Sequence, residues 1–326
     1  MIFAPETMKH RFMRKFFFCI VLLVPLSVQS QHQMRQFVAN VAEEIDTRVW
    51  SSVVDMTSER LVAKPYDRQM YYVRAMAFYY LDEYEKAMRD FDNVITLHPY
   101  SPRAYYFRGE CRFKMGEVER GIKDNTVAFH MSEDLFIRYQ CLMNTSAAKQ
   151  EIGDMEGAYQ DFYKLYVFDS TNVRVLNGLA MTAYRTGRKG ETLGYLYRAE
   201  AIAPYDLYTL GNLGFFLSQM GEYEESLFYL NTVLEVRPYL PLPKNNRGFV
   251  RYKLGDYLGA LDDINSSLEM HPNNSFAYKN RALVYIALND FESACADLET
   301  ALELGFDRRY GDEVKELIEK YCLQPN

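Results

Sequence analysis

Between residues 68 and 308 small, large apolar and charged residues recur at helical spacing, and the runs are separated by glycine or proline. Gly116, Gly153, Gly187, Gly221 and Gly255 stand 37, 34, 34 and 34 residues apart, and Pro204, Pro238 and Pro272 recur at 34. Glycine tolerates the left-handed turn that stops a helix, and proline cannot continue one, so the shared period predicts a repeated pair of helices. A register starting at Arg68 gives units 68–101, 102–135, 139–172, 173–206, 207–240, 241–274 and 275–308, with 136–138 inserted. The eighth place of each unit is small: Ala75, Gly109, Ser146, Ala180, Gly214, Gly248 and Ala282. The twentieth is small too, from Ala87 to Ala294, while the twenty-fourth holds Phe91, Phe162, Leu196, Leu230, Ile264 and Leu298, with Asn125 the exception. Small places opposite large ones predict two closely packed helices per unit. Acids follow the glycine or Asn289 at Glu117, Asp154, Glu222, Asp256 and Asp290, where the positive start of the second helix favours them.

This combination resembles the tetratricopeptide family, whose 34-residue helix-turn-helix is matched from about 68 to 308. The segment RGFVRYKLGDYLGALDDINSSLEMHPNN, residues 247–274, follows it almost throughout. Unit 102–135 departs, with Asn125 and Glu133 where an apolar residue and a proline are expected, and the family's tryptophan is missing. The resemblance implies an all-α, right-handed superhelical solenoid whose concave wall is built from the first helix of each unit and holds peptides or protein segments.

The flanks extend this plan. Residues 34–67 continue the register weakly, with Trp50 opening a second helix and Pro65 closing it, as a degenerate first repeat. Residues 309–326 are expected to cap the array, because Val314, Leu317 and Ile318 are surrounded by Asp312, Glu313, Lys315, Glu316, Glu319 and Lys320 between Gly311 and Leu323. Residues 1–30 read as a signal peptide, with Lys9, Arg11, Arg14 and Lys15 ahead of the apolar run Phe16 to Val24, Pro25 after it, and a small-residue site at Ser30. A bilayer span needs about 20 apolar residues. Export to the periplasm or the cell exterior is therefore expected, and contact with a membrane only if this segment is retained as a tether.

Composition narrows the function. The chain is 48% hydrophobic and 25% charged, which excludes a largely disordered or polytopic membrane protein. Its net charge is -7, and loss of residues 1–30 makes it more acidic; no contiguous basic block appears, so nucleic acid is not an expected partner. No phosphate loop, nucleophile turn, metal-ligand cluster or Cys/His pair is present, so no catalytic residue, metal or cofactor is assigned. Of Cys111, Cys141, Cys295 and Cys322, widely and irregularly spaced, buried free thiols are expected, with a Cys295–Cys322 bridge pinning the cap as the alternative.

The aromatic content is high, with 27 Tyr and 21 Phe, more ring surface than a core of this size needs. Asn144, Asn212, Asn246 and Asn280 share the sixth place of four units, and aligned amides of this kind could pair with the backbone of an extended peptide. Tyr72, Tyr79, Tyr106, Phe113, Tyr184, Phe215, Phe249 and Tyr252 lie on the same helices as candidate side-chain pockets. The other reading of both sets is structural: amides bonding adjacent helices, and rings in the core. The expected function is a non-enzymatic scaffold for a protein or peptide partner. The alternatives are a structural subunit of an envelope or secretion assembly, or a sensory or lipid-binding helical module. If the leader is removed, N-terminal sequencing of the native protein will start near Gln31; an intact residue 1 in a membrane pellet would identify a tether.

Overall fold

A computed structural model describes residues 47–323. Residues 1–30, expected to be a signal peptide, lie outside that range, as do residues 34–46 of the first repeat and the last three residues of the cap. Among the described residues there are seventeen helices and no strand. They are α1 (Thr47–Ala63), α2 (Arg68–Tyr80), α3 (Tyr84–Leu97), α4 (Pro102–Lys114), α5 (Val118–Met131), α6 (Leu135–Glu151), α7 (Met155–Phe168), α8 (Val173–Arg185) and α9 (Lys189–Ile202). There follow α10 (Leu207–Met220), α11 (Tyr223–Val236), α12 (Pro241–Lys253), α13 (Tyr257–Met270), α14 (Ser275–Ala287), α15 (Phe291–Glu303), α16 (Phe306–Tyr310) and α17 (Glu313–Tyr321). The chain forms two compact units, divided between Cys141 and Leu142 inside α6.

Each unit between 68 and 308 supplies two helices, and their small eighth and twentieth places are buried throughout, as is the twenty-fourth. The fit leaves no room at the glycines. A Cβ added to Gly214 would lie 2.6 Å from Leu230, and one added to Gly248 would lie 2.5 Å from Ile264, far inside van der Waals contact. Asn125 keeps the same place in its unit, fully buried, and donates to the Gly121 carbonyl at 3.4 Å, so an amide fills the space a large apolar residue fills elsewhere. First helices end as the pattern requires, with Gly221 at φ 90° and Asn289 at φ 61°. Asp154, Asp256 and Asp290 then cap the second helices, accepting from the backbone N–H of Gly157, Gly259 and Ser293.

The insertion at 136–138 is absorbed by lengthening a helix: α6 has 17 residues where most first helices have 13. Three residues are close to one turn, so the downstream register keeps its face. In the first unit α1 packs on α2, and Trp50 stacks on Tyr80 with ring centroids 4.6 Å apart.

Between the paired helices runs a set of ion pairs. Arg74, Arg108, Arg247 and Arg281, all at the seventh place, each make a two-pronged contact with the buried carboxylate sixteen residues later, Asp90, Asp124, Asp263 and Asp297. The third guanidinium nitrogen reaches back to the preceding second helix, at Ser58, Asp92, Asn231 and Asn265. One arginine thus ties together three helices with charge-assisted bonds. In unit 139–172 Thr145 and Lys149 satisfy Asp161 at 2.7 and 2.6 Å. Units 173–206 and 207–240 drop the ions: Leu179 and Leu213 are fully buried opposite Tyr195 and Tyr229.

At the C-terminus a short helix, α16, precedes the expected cap and buries Phe306 completely. Helix α17 lies on α15 and buries Val314, with Leu317 and Ile318 partly covered. The expectation of four free thiols holds for Cys111 and Cys141, whose burial pushes each thiol up to about 12. It fails for Cys295 and Cys322. They form a disulfide, because packing of α17 on α15 brings their Cα atoms to 5.8 Å, within the range a bridge spans. Reduction is therefore expected to weaken the cap by about 3 kcal/mol. In thermal melts the wild type will lose stability on adding reductant, whereas Cys322→Ser will melt at one temperature with or without it.

Candidate functional site

The candidate face is made by the first helices, because they carry all of the aromatic and asparagine residues singled out above. All eight rings are half-buried. In the first unit Tyr72 meets Phe91 and Phe107 edge-on at 6.0 and 6.5 Å, and Tyr79 meets Phe107 at 5.7 Å. Burial pushes the Tyr72 hydroxyl up to about 12, so it remains a neutral donor across the physiological range. Tyr106 stands on Phe107 at 4.9 Å, and Phe113 presses on Gly121 of the paired helix. In the second unit Tyr184 and Phe215 each pack on the buried Phe216 at 5.0 Å, and Phe249 meets Tyr252 at 6.3 Å. Each ring is thus partly covered by its neighbours and partly open to water.

The asparagines divide. Asn212 donates to Asn177 Oδ1 at 2.7 Å and Asn280 donates to Asn245 Oδ1 at 3.1 Å. In both, a sixth-place amide bonds a fifth-place amide of the preceding first helix. Asn177 goes on to Thr209 Oγ1 at 2.8 Å, closing a small buried network. Asn280 is 1% exposed, and its own oxygen has no donor. Asn144 and Asn246 are half-buried. Asn212 and Asn280 therefore join helices, and the partners Asn177 and Asn245 escaped the sequence reading because they stand one place earlier.

Two lysines were also overlooked. Lys253 Nζ lies 5.5 Å from the Phe249 ring centroid and 5.3 Å from that of Tyr252. Lys279, only 4% exposed, lies 4.6 Å from Phe276 and 5.7 Å from the same Phe249, and pairs with Glu313 of α17 at 3.3 Å. Burial holds the Lys279 ammonium below the ordinary lysine range, Glu313 opposes that shift, and the charge of Lys253 adds to it. In the first unit an open cavity of about 790 Å³ is lined by Arg68, Tyr72, His98, Ser101 and Arg103 above Val73, Val94 and Ala104. Among the described residues no group of three or more His, Cys, Asp or Glu could hold a metal ion, and no helix is long and apolar enough to cross a membrane.

Paired helices at a 34-residue period, with small places facing large ones, define an α-helical repeat protein. Residues 72–124, and separately 207–239 and 277–304, match tetratricopeptide repeat families, so the chain carries tetratricopeptide repeats. A tetratricopeptide repeat protein from Parabacteroides merdae has a similar fold, with a TM-score of 0.63 at 16% identity over 77% of this chain and 97% of that one. A chain of the APC/C hetero-tetramer Cut9–Hcn1 gives 0.60 at 16% identity over 84% of this chain and 52% of that one. A sequence comparison with curated proteins found no match. Repeats of this family generally mediate protein–protein interaction, and its scaffolds are generally not enzymes.

The two kinds of asparagine respond differently to truncation. Asn212→Ala strands the Asn177 oxygen in the core and is expected to cost about 1 to 2 kcal/mol in a denaturant titration. Asn246→Ala, with no bond to lose, is expected to stay within about 0.5 kcal/mol of wild type.

Proposed function

We propose that the protein is a non-enzymatic scaffold whose first-helix face in the second unit holds a segment of a protein partner. The observation that carries this reading is the set of half-buried rings Tyr184, Phe215, Phe249 and Tyr252 on first helices, of which Tyr184, Phe215 and Tyr252 pack against buried core residues. Rings fixed in this way bind without further loss of side-chain freedom, which is why aromatic anchors dominate protein interfaces. Asn246 adds a donor and an acceptor beside them, while Asn212 and Asn280 hold the helices that present them.

Export is part of the same proposal. The Cys295–Cys322 disulfide supports it, since such bridges persist in oxidising compartments, and it agrees with the basic and apolar blocks of residues 1–30. A partner met outside the cytoplasm follows.

A photo-crosslinking amino acid placed at Phe249 or Phe215 of the full-length protein, irradiated in the native host, tests the reading. The expected result is one discrete crosslinked protein from both positions and none from the exposed second-helix position Phe228. Equal crosslinking from Phe228, or adducts only there, would move the binding surface to the second helices and favour the structural-subunit reading.

A further inference from the structure

Where one repeat of the second compact unit turns into the next, large apolar side chains stand in water. The turn between α9 and α10, with the helix ends beside it, presents Ile202, Tyr205 and Tyr208, which are 42%, 91% and 63% exposed. The turn between α11 and α12 presents Val236, Tyr239 and Leu242, at 59%, 82% and 60%. The two sets are 34 residues apart, at the thirtieth and thirty-third places of one repeat and the second place of the next. Packing of α10 on α12 sets the turns side by side. The strip has ends: the preceding turn holds Thr171 and Arg174 at the last two of these places, and the following turn holds Asn273 where Tyr239 stood.

These side chains have no task inside the fold. Among the described residues Tyr205 and Tyr239 make neither a ring contact nor a side-chain hydrogen bond. Each follows a proline, Pro204 or Pro238, whose fixed φ stiffens the turn that projects the ring. At about 200 Å² for a whole tyrosine side chain and somewhat less for an aliphatic one, the six offer on the order of 700 Å². The largest apolar patch on a typical monomer is about 300–600 Å², and a standard interface covers about 800 Å² on each partner. The strip is therefore of interface size.

We propose that this strip is the contact between two copies of the chain, related by a twofold axis that sets the Ile202 set of each copy against the Val236 set of the other. The same triplet occurs twice in succession, which is the self-complementarity that an isologous contact requires. The charges beside it agree. Glu235 and Arg237 flank Val236, both exposed, and among the described residues neither has an ion pair, so a second copy brings a cation for the one and an anion for the other. An anionic bilayer would instead meet Glu235 and the exposed Glu269, carboxylates at the same place of successive repeats. The strip lies at helix ends and turns, outside the row of first-helix rings, so the two surfaces can be occupied together.

Sedimentation velocity of the full-length protein across a concentration series tests the proposal. A monomer–dimer equilibrium is expected, with a Kd in the micromolar range or below. Tyr239→Ser is expected to weaken it at least about tenfold. The melting temperature of that variant should not change, because its ring is in water. Phe228→Ser, which removes an exposed ring from a second helix, should leave the dimer as it is. Residues 1–46 are the same in every variant, so a difference between them belongs to the strip. Oxidation of a mixture of Tyr205→Cys and Tyr239→Cys should give more covalent dimer than either variant alone. A protein that stays monomeric, or a dimer indifferent to Tyr239→Ser, would overturn the proposal, and crosslinking confined to the single variants would overturn the twofold arrangement. A monomer that floats with phosphatidylglycerol vesicles, and ceases to do so as Tyr239→Ser, would give the strip to a membrane surface instead.

Discussion

Each repeat is held by the contact between a residue with almost no side chain and a large one sixteen positions later. Gly214 against Leu230 and Gly248 against Ile264 leave no space for one further carbon, so the two backbones approach as closely as a helix pair can. Because the contact sets the distance and crossing of each pair, it also sets where every other side chain lies. Phe249 and Tyr252 stay half-buried beside positions whose core is already filled, such as Gly248 against Ile264.

The arginines of the seventh place use that geometry a second time. A guanidinium has donors for a two-pronged carboxylate contact and one more to spare, and the spare donor reaches the helix before. Since the acid always belongs to a second helix and the base to a first, the arrangement sorts charge between the two layers of the stack. Breaking such a buried pair from one side costs several kcal/mol, whereas exchanging the whole pair for apolar residues costs little. Units 173–206 and 207–240 have made that exchange, with Leu179 and Leu213 in the arginine's place.

The fold was almost wholly legible in the amino-acid sequence, because its signals are local and repeated: a glycine at a left-handed turn, a small residue eight places into the unit, an acid at a helix start. The insertion at 136–138 was visible as a break in period, and its absorption into α6 follows from the length of a helical turn. The site was legible only in outline. Asn212 and Asn280 looked like a free ladder, since their partners Asn177 and Asn245 sit one position off the shared register and only three-dimensional packing brings them together. That α8, α10, α12 and α14 carry no acid was hidden by averaging: Lys253, Arg185 and Arg174 are far apart in the chain and outnumbered by acids in the total. Cys295 and Cys322 posed a question of distance, which spacing along the chain does not answer.

The bridge between α15 and α17 has a directional effect. A stack of repeats has little to hold its last member except one neighbour, so terminal repeats fray first and opening spreads inward from the ends. A covalent staple at the C-terminal end closes one of the two starting points. Opening that starts at α15 and α17 is then disfavoured, and a protease or a pulling force would meet its hardest end at the bridge.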